Sequence, residues 1–133
     1  MKYYWCSKPP LSTLSSLFAE IFQVPYLRQP DCLQACVLEL PGLQEWLLVY
    51  DERQLVAFLS IHERSSYTLI ANLGVAPTHR HKGIATRMLE EVRRHRPKTT
   101  LRVEVDKDLV PFYEKRGFTM KNGPSQRKVT LQL

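Results

Sequence analysis

The chain has 133 residues, 44% of them hydrophobic, and this size suits one compact domain spanning residues 1–133 rather than two. Its formal net charge of +6 favours an anionic partner, which could be a nucleic acid, an acidic protein or a phosphorylated small molecule. No segment approaches the roughly 20 apolar residues that a membrane span requires, and the N-terminus lacks the layout of a signal peptide. We therefore expect a cytoplasmic protein that makes no use of a membrane.

The first half of the chain alternates apolar runs with turn signals. Leu14, Leu17, Phe18 and Ile21 recur at helical spacing, whereas the paired runs "EWLLVYD" and "LVAFLSIHE" are typical of an antiparallel hairpin. The predicted elements are strands over residues 2–6, 45–51, 55–63 and 67–75, and helices over residues 9–22 and 31–37.

The second half continues with a strongly amphipathic helix. Ile84, Ala85, Met88, Leu89 and Val92 form one apolar stripe in this segment. The predicted elements are helices over residues 82–94 and within 109–118, and strands over residues 100–105, 118–121 and 128–133. This order predicts an α/β (α+β) fold in which a mixed sheet carries helices on both faces.

The cysteines indicate neither a disulfide framework nor a metal site. There are three of them, Cys6, Cys32 and Cys36, in a chain without a secretory signal. Cys32 and Cys36 would share a helix face, but a zinc site needs about four ligands, and no further Cys or His lies at a suitable spacing. We therefore expect no bound metal.

The segment "GVAPTHRHKGIATRML", residues 74–89, has the features of an anion site. A strand ends near Val75, a basic loop follows, and a helix begins near Gly83, where the free N–H groups of the first turn attract negative charge. Because glycine lacks a Cβ atom, a pyrophosphate could approach the backbone closely. Neither a P-loop nor a G-x-G-x-x-G motif is present, which disfavours those nucleotide-binding classes.

Two motifs in this order resemble the GNAT superfamily of acyl-CoA-dependent N-acetyltransferases. Leu73-Gly74-Val75 followed by Arg80-x-x-Gly83-x-Ala85 is similar to the family's acetyl-CoA motif, and "VPFYEKRGF" (110–118) is similar to its second signature. The similarity is clear over residues 55–118. It implies a single, mixed and mostly antiparallel sheet of six or seven strands, splayed between the strands that end near Val75 and Val105.

The resemblance also implies a function and a cosubstrate. The protein would transfer an acetyl group from acetyl-CoA to a primary amine of a small molecule, protein or peptide, by direct attack in a ternary complex. Backbone N–H groups would bind the CoA pyrophosphate, and Leu73 and Val75 would bind the pantetheine arm through their main chains. The amide of Val75, or of a neighbour at the strand end, would polarise the thioester carbonyl. The implied cofactor-binding residues are Leu73, Gly74, Val75, Arg80, His81, Lys82, Gly83, Ile84, Ala85, Thr86 and Phe112.

The resemblance also implies catalytic residues, for which the sequence itself gives less evidence. Tyr113 occupies the position whose hydroxyl, in many relatives, protonates the departing thiolate; on sequence alone it could equally be part of an aromatic core. Many relatives carry Glu or His on the strand before the cofactor loop, but residues 67–75 offer only Thr68 and Asn72 as polar side chains in the strand interior. His62 and Glu63, at the end of the preceding strand, are therefore the nearest candidates for a general base, and we select His62, although a histidine at a strand end is more often a structural residue.

Other interpretations remain open at this point. One is a regulatory module that binds acetyl-CoA without turnover and contacts a partner protein. The other is a phosphate- or nucleic-acid-binding protein, although the basic run "RRHRPK" lacks the interleaved aromatic residues of a single-strand binder, so a nucleic-acid partner is unlikely. We expect a monomer or homodimer and an acceptor site formed within residues 11–66.

Overall fold

The computed structural model describes residues 1–39, 42–121 and 128–133. These residues form one seven-stranded sheet and four α-helices. The strands are β1 Lys2–Cys6, β2 Gln44–Asp51, β3 Gln54–Glu63, β4 Thr68–Val75, β5 Leu101–Asp106, β6 Thr119–Met120 and β7 Lys128–Gln132. The helices are α1 Leu11–Phe22, α2 Pro30–Leu33, which continues as a π-helical turn over Gln34–Leu38, α3 Ile84–His95 and α4 Val110–Glu114.

The strand order is β1-β2-β3-β4-β5-β7-β6, and every neighbouring pair is antiparallel except β4 and β5. This arrangement confirms the predicted fold class. The parallel pair is short, because Thr68–Ile70 lie opposite Leu101–Val103 and no pairing continues beyond them. The two strands therefore diverge toward Val75 and Val105, which confirms the predicted splay.

Ring contacts show that α1 and α3 cover opposite faces of the sheet. Phe18 of α1 stacks on Phe58 of β3 with centroids 5.2 Å apart. On the other side, Trp5 of β1 stacks on His95 of α3 at 4.2 Å. These two surfaces are called the α1 face and the α3 face below. The α4 end of the chain joins the α3 face, because Arg116 donates hydrogen bonds to Thr86 of α3.

The predicted apolar stripe of α3 is buried, except that Ala85 is only partly covered. Ile84, Met88, Leu89 and Val92 join the central core, and each such side chain contributes about 1.5–3 kcal/mol when fully buried. The helix begins two residues later than the predicted residue 82, because Gly83 has φ +79° and cannot continue a right-handed helix. No helix of the described residues is long and apolar enough to cross a membrane.

An ion-pair cluster fixes the C-terminal end of α3 to the sheet. Arg96 donates one hydrogen bond to Glu63 at 2.8 Å and another to Glu45, while His95 Nε2 lies 3.1 Å from a carboxylate oxygen of Glu45. Burial alone would raise the pKa of Glu45, but the hydrogen bonds from His95 and Arg96 outweigh it and keep that pKa below its usual value. The position of α3 against β2 and β3 thus depends partly on this carboxylate.

Candidate active site

The loop between β4 and α3, residues 76–83, is called the cofactor loop. A 3₁₀ turn over Pro77–His79 follows β4, and two residues near the start of α3 adopt left-handed backbone angles, His81 at φ +63° and Gly83 at φ +79°. A Cβ atom built on Gly83 would meet no atom within 4 Å. The backbone at the start of α3 therefore borders open space, as a bound pyrophosphate would require.

A groove of about 490 Å³, called the cofactor groove, lies beside this loop. Its walls come from the end of β4, the loop, the first turn of α3, and α4 with the residues next to it. The lining residues are Val75, His79, Arg80, His81, Gly83, Ile84, Ala85, Thr86, Leu109, Phe112 and Arg116. Eight of the eleven predicted cofactor-binding residues are therefore brought together here.

The other three predicted cofactor-binding residues lie outside the cofactor groove. Lys82 is exposed on the cofactor loop, and Leu73 lines the adjoining pocket described below. Gly74 has a structural explanation of its own: a Cβ atom there would lie 3.1 Å from both Ile21 and Phe58. The missing side chain lets α1 approach β4 closely.

Arg116 is part of the groove wall and was not predicted from the sequence. Its guanidinium lies 3.7 Å from the Phe112 ring centroid and donates to the Thr86 hydroxyl at 2.9 and 2.6 Å. It also donates to the Phe112 carbonyl at 2.6 Å. The sequence could have indicated Arg116 by its spacing of four residues from Phe112, because that spacing puts both side chains on one side of a helical turn.

His79 connects the cofactor loop to the β2–β3 hairpin. Its Nε2 donates to Asp51 at 2.9 Å, and its Nδ1 lies 2.8 Å from the Thr78 hydroxyl. The hydrogen bond from His79 holds the pKa of Asp51 below its usual value. Because His79 is buried and lines the cofactor groove, this contact helps to fix the loop next to the groove.

A second pocket of about 290 Å³, called the splay pocket, occupies the space where β4 and β5 diverge. It shares Leu109 with the cofactor groove, and Leu73 lies two residues before Val75 of that groove. The lining residues are Phe22, Ile70, Ala71, Asn72, Leu73, Glu104, Val105, Asp106, Leu109, Tyr113 and Lys128. The two spaces therefore form adjoining parts of one site.

Tyr113 lies between the core and the splay pocket. Its side chain is only 5% exposed and makes edge-to-face contacts with Phe112 and Phe118 at 5.1 and 5.4 Å. Within the described part of the chain, no hydrogen-bond partner reaches its hydroxyl. Burial, opposed weakly by the charge of Arg116, raises the pKa of Tyr113 to about 12. The residue is thus both core and pocket wall, and it stays protonated at neutral pH.

His62 lies outside both the cofactor groove and the splay pocket. It is 2% exposed on the α1 face, where its Nε2 lies 3.1 Å from Gln44 Nε2. Gln44 Nε2 also donates to the Val37 carbonyl at 3.1 Å, so this amide group presents its donor end to the ring. Nε2 is then the unprotonated acceptor, and burial followed by the charge of Arg64 lowers the pKa of His62. Its role as a base stays a prediction.

Asn72 occupies a bulge in β4 and was not predicted as a site residue. It has φ +49°, and the β3–β4 register shifts between Phe58 and Ser60. Its side-chain NH₂ donates to Ser60 Oγ at 3.0 Å, and Ser60 in turn donates to the Ala71 carbonyl at 3.2 Å. The bulge interrupts the β3–β4 ladder beside the splay pocket, where the chain turns toward the cofactor loop.

Glu104 and Asp106 also line the splay pocket, on the β5 side. Asp106 forms an ion pair with Lys128 at 3.1 Å. The sequence carried a signal for this pair, because the alternation in "LRVEVD" puts both carboxylates on one face of the strand. Among residues 1–39, 42–121 and 128–133, no group of three or more His, Cys, Asp or Glu side chains could hold a metal ion.

A splayed sheet, a basic loop before a helix N-terminus and an adjoining pocket together suit an anionic, extended cosubstrate. Residues 14–132 match the family described as acetyltransferase (GNAT) domain, so the chain belongs to that family. The family match supports acyl transfer and the binding of acetyl-CoA in general. No curated protein sequence matches the chain.

Solved structures with the same fold share little sequence with this chain. ElaA from Escherichia coli has a TM-score of 0.76 and 18% identity, with 99% of each chain covered. PaiA N-acetyltransferase from Thermoplasma acidophilum, in complex with coenzyme A, has a TM-score of 0.73 and 15% identity over 99% of this chain and 98% of that chain. The ribosomal-protein-S18-alanine N-acetyltransferase from Escherichia coli has a TM-score of 0.70 and 16% identity, with coverages of 98% and 91%. At these identities the likeness establishes the fold alone.

Proposed function

We propose that this protein is an N-acetyltransferase that moves an acetyl group from acetyl-CoA to a primary amine by direct attack in a ternary complex. The observation that carries the proposal is the adjoining pair of spaces beside β4. One begins at the basic N-terminal end of α3, and the other is lined by Tyr113, whose hydroxyl has no hydrogen-bond partner among the residues that the structure describes. Family membership supports the same reaction class.

The cofactor groove suits the CoA end of the cosubstrate. Backbone N–H groups from His81 to Thr86 would bind the pyrophosphate, and the side chains of Arg80 and Lys82 would add positive charge. Arg80 is already oriented, since its Nε donates to the Val75 carbonyl at 3.1 Å. Main-chain groups of Leu73 and Val75 would bind the pantetheine arm in the manner of an added strand.

The splay pocket suits the reacting end. Acetyl-CoA supplies the thioester that the amine attacks. The Val75 amide, at the end of β4, would stabilise negative charge on the carbonyl oxygen. The Tyr113 hydroxyl would protonate the leaving sulfur; its raised pKa of about 12 keeps it in the protonated form that this role requires.

The test combines binding with turnover. Purified protein is titrated with acetyl-CoA, with CoA and an unrelated oligonucleotide as controls, and is then assayed for release of free thiol in the presence of primary amines. Saturable binding of both CoA compounds and intersecting two-substrate initial-rate lines are expected. Binding without thiol release for any amine would make the protein a regulatory acetyl-CoA-binding module. Binding of the oligonucleotide alone would remove both interpretations.

A further inference from the structure

The strand registers determine which side chains of β5 lie on the α1 face. Phe58 of β3 stacks on α1, so Ser60, two residues later, lies on the α1 face as well. Ile61 therefore points to the α3 face, and so do its cross-strand partner Ile70 and the partner of Ile70 on β5, Val103. The residues of β5 that alternate with Val103 consequently lie on the α1 face.

Lys128 of β7 shares the α1 face with two carboxylates of β5. Glu104 and Asp106 are the alternating residues of β5, and Lys128 is directly opposite Asp106 in the antiparallel β5–β7 pair. Asn72 reaches this face from β4, because its amide donates to Ser60 Oγ. Lys128 and both carboxylates are exposed, and all three line the splay pocket. One cation and two carboxylates therefore meet where the pocket opens to solvent.

Lys128 brings a primary amine to the proposed reaction site. Of the described residues that line the splay pocket, it alone is a Lys, Arg or His. Neighbouring strands lie about 4.8 Å apart, and the flexible four-carbon stem of a lysine spans such a distance. From β7, the amine of Lys128 therefore reaches over β5 toward the gap between β5 and β4.

The ion pair of Lys128 leaves its amine free to move. Nζ lies 3.1 Å from a carboxylate oxygen of Asp106, and the two side chains are 57% and 59% exposed. Ion pairs with this much exposure are screened by water and contribute little to stability. Lys128 can therefore leave Asp106 readily, and its ammonium group can give a proton to solvent.

Tyr113 gives independent evidence that a polar group enters the same pocket. The side chain is only 5% exposed, and it lines the splay pocket with no partner for its hydroxyl among the described residues. Buried hydroxyl groups normally have a hydrogen-bond partner. One pocket thus contains both the amine of Lys128 and the hydroxyl that, in the proposed function, protonates the leaving sulfur.

We propose that Lys128 is an internal acceptor, whose Nζ the protein acetylates with the acetyl-CoA bound in its own site. This inference rests on the proposed function and adds a modification site to it. Acetylation replaces the Lys128 cation by a neutral amide, so that Glu104 and Asp106 then face the pocket without that positive charge. Self-acetylation therefore changes the charge of the pocket that a free amine would enter.

The atoms and protons of this step balance. The Lys128 ammonium gives one proton to solvent, and the neutral nitrogen forms a bond to the thioester carbonyl carbon. The C–S bond then breaks, and Tyr113 donates its proton to the leaving sulfur. The second proton lost from nitrogen restores the phenol by way of water. The products are Nε-acetyl-lysine at position 128, CoA thiol and one released proton.

The experiment incubates the full chain with acetyl-CoA that carries a deuterated acetyl group, without a free amine, and follows labelling by intact-protein and peptide mass spectrometry. The label should be found at Lys128 with an initial rate at least about tenfold above that at Lys107, because proximity accelerates a reaction within one molecule. Lys107 is an exposed lysine next to Asp106 that is outside the lining of the splay pocket. K128R keeps the charge opposite Asp106 and should lose this label, whereas K107R should keep it.

Rate measurements separate self-acetylation from chemical acetylation by free acetyl-CoA. The labelling of Lys128 should follow first-order kinetics with a rate constant independent of protein concentration, and excess CoA should suppress it. Tyr113→Phe should slow it by about 10²-fold or more, since the leaving sulfur loses its acid. The labelling of Lys107 should respond neither to the CoA competitor at its site nor to Tyr113→Phe.

Each contrary result has a distinct meaning. Equal labelling of Lys128 and Lys107, or labelling of Lys128 that persists with excess CoA and in Tyr113→Phe, overturns the proposal in favour of chemical acetylation. A rate constant that rises with protein concentration overturns the internal assignment, because one copy then modifies another. Turnover of hexylamine with Lys128 unlabelled refutes this inference alone. Acetyl-CoA binding with neither hexylamine nor Lys128 acetylated removes the proposed function and this inference together.

Discussion

Replacing Gly83 by alanine tests whether the start of α3 binds the cosubstrate's phosphates. Gly83 has φ +79°, where an L-residue costs roughly 1–2 kcal/mol relative to glycine. The new Cβ atom would meet no protein atom within 4 Å, so it would project into the space beside the cofactor loop without a steric clash. The folded protein should therefore survive, with a melting temperature lowered by about 2–8 °C per kcal/mol.

The effect on binding should be larger than the effect on stability. A methyl group beside the helix N-terminus would keep a phosphate from approaching the backbone N–H groups. Loss of one hydrogen bond to a charged group costs about 1.5–3 kcal/mol, which corresponds to a Kd for acetyl-CoA about 10- to 150-fold weaker. Calorimetric titration of the folded variant measures this directly.

Gly117 provides the matched control. It also has positive φ, +95°, and a Cβ atom there would lie 3.1 Å from Leu133, away from the cofactor loop. Gly117→Ala should therefore lose stability to a similar or greater extent while keeping its acetyl-CoA affinity. Unchanged affinity in folded Gly83→Ala would refute the assignment of the helix start as the phosphate site. Equal affinity losses in both variants would attribute the effect to stability instead.

Three further variants test other parts of the site and fold. Tyr113→Phe should lower kcat by about 10²-fold or more at unchanged acetyl-CoA affinity, and wild-type turnover in this variant would return the residue to a purely structural role. Asp51→Asn should raise the KM for acetyl-CoA and leave kcat nearly unchanged, because it weakens the contact that holds His79; an unchanged KM would contradict this. Glu45→Gln should flatten the loss of stability on acidification. The lowered pKa of Glu45 gives stability at neutral pH that disappears as pH falls through that pKa, whereas Glu90→Gln should leave acid unfolding unchanged.

The cofactor groove could be predicted from the sequence because its signals are local. The residues from Arg80 to Thr86 occupy one loop and one helical turn, and "VPFYEKRGF" contributes Phe112 within a short segment. The sheet followed from the same local evidence, since strand alternation and helix periodicity are read over a few residues at a time. Even the shift of the α3 start to Ile84 came from one local feature, the positive φ of Gly83.

The lining of the splay pocket could not be predicted in the same way, because it depends on strand register. Glu104 lines the splay pocket because β5 pairs with β4 in parallel and that pairing stops at Ile70 and Val103. The bulge at Asn72 depends on a register shift against β3. Of residues 11–66, Phe22 lines the splay pocket, and the acceptor site expected within residues 11–66 stays a prediction.

His62 shows a third limit of prediction from sequence: a residue distant in the chain can already form a hydrogen bond with the candidate side chain. The sequence shows a histidine at the end of a strand near the site, where a structural role is commoner than a catalytic one, and its position made it a candidate base. The structure adds Gln44, 18 residues away in the chain, whose amide occupies His62 Nε2. Such an interaction depends on the pairing of β2 with β3 and on the position of the turn after α2, neither of which is visible in residues 60–64 alone.

The two faces of the splay bear on the direct transfer that we propose. The cofactor groove is built on the α3 face by the start of α3, Phe112 and Arg116, whereas Asn72 and Glu104 lie on the α1 face. In the direct transfer that we propose, an acceptor and a cosubstrate would enter from opposite faces and meet where β4 and β5 part, next to Tyr113. The residues that line the splay pocket include no cysteine, whose thiolate is the nucleophile that exchanges most readily with a thioester. This lining is consistent with the simultaneous binding of acceptor and cosubstrate that we propose.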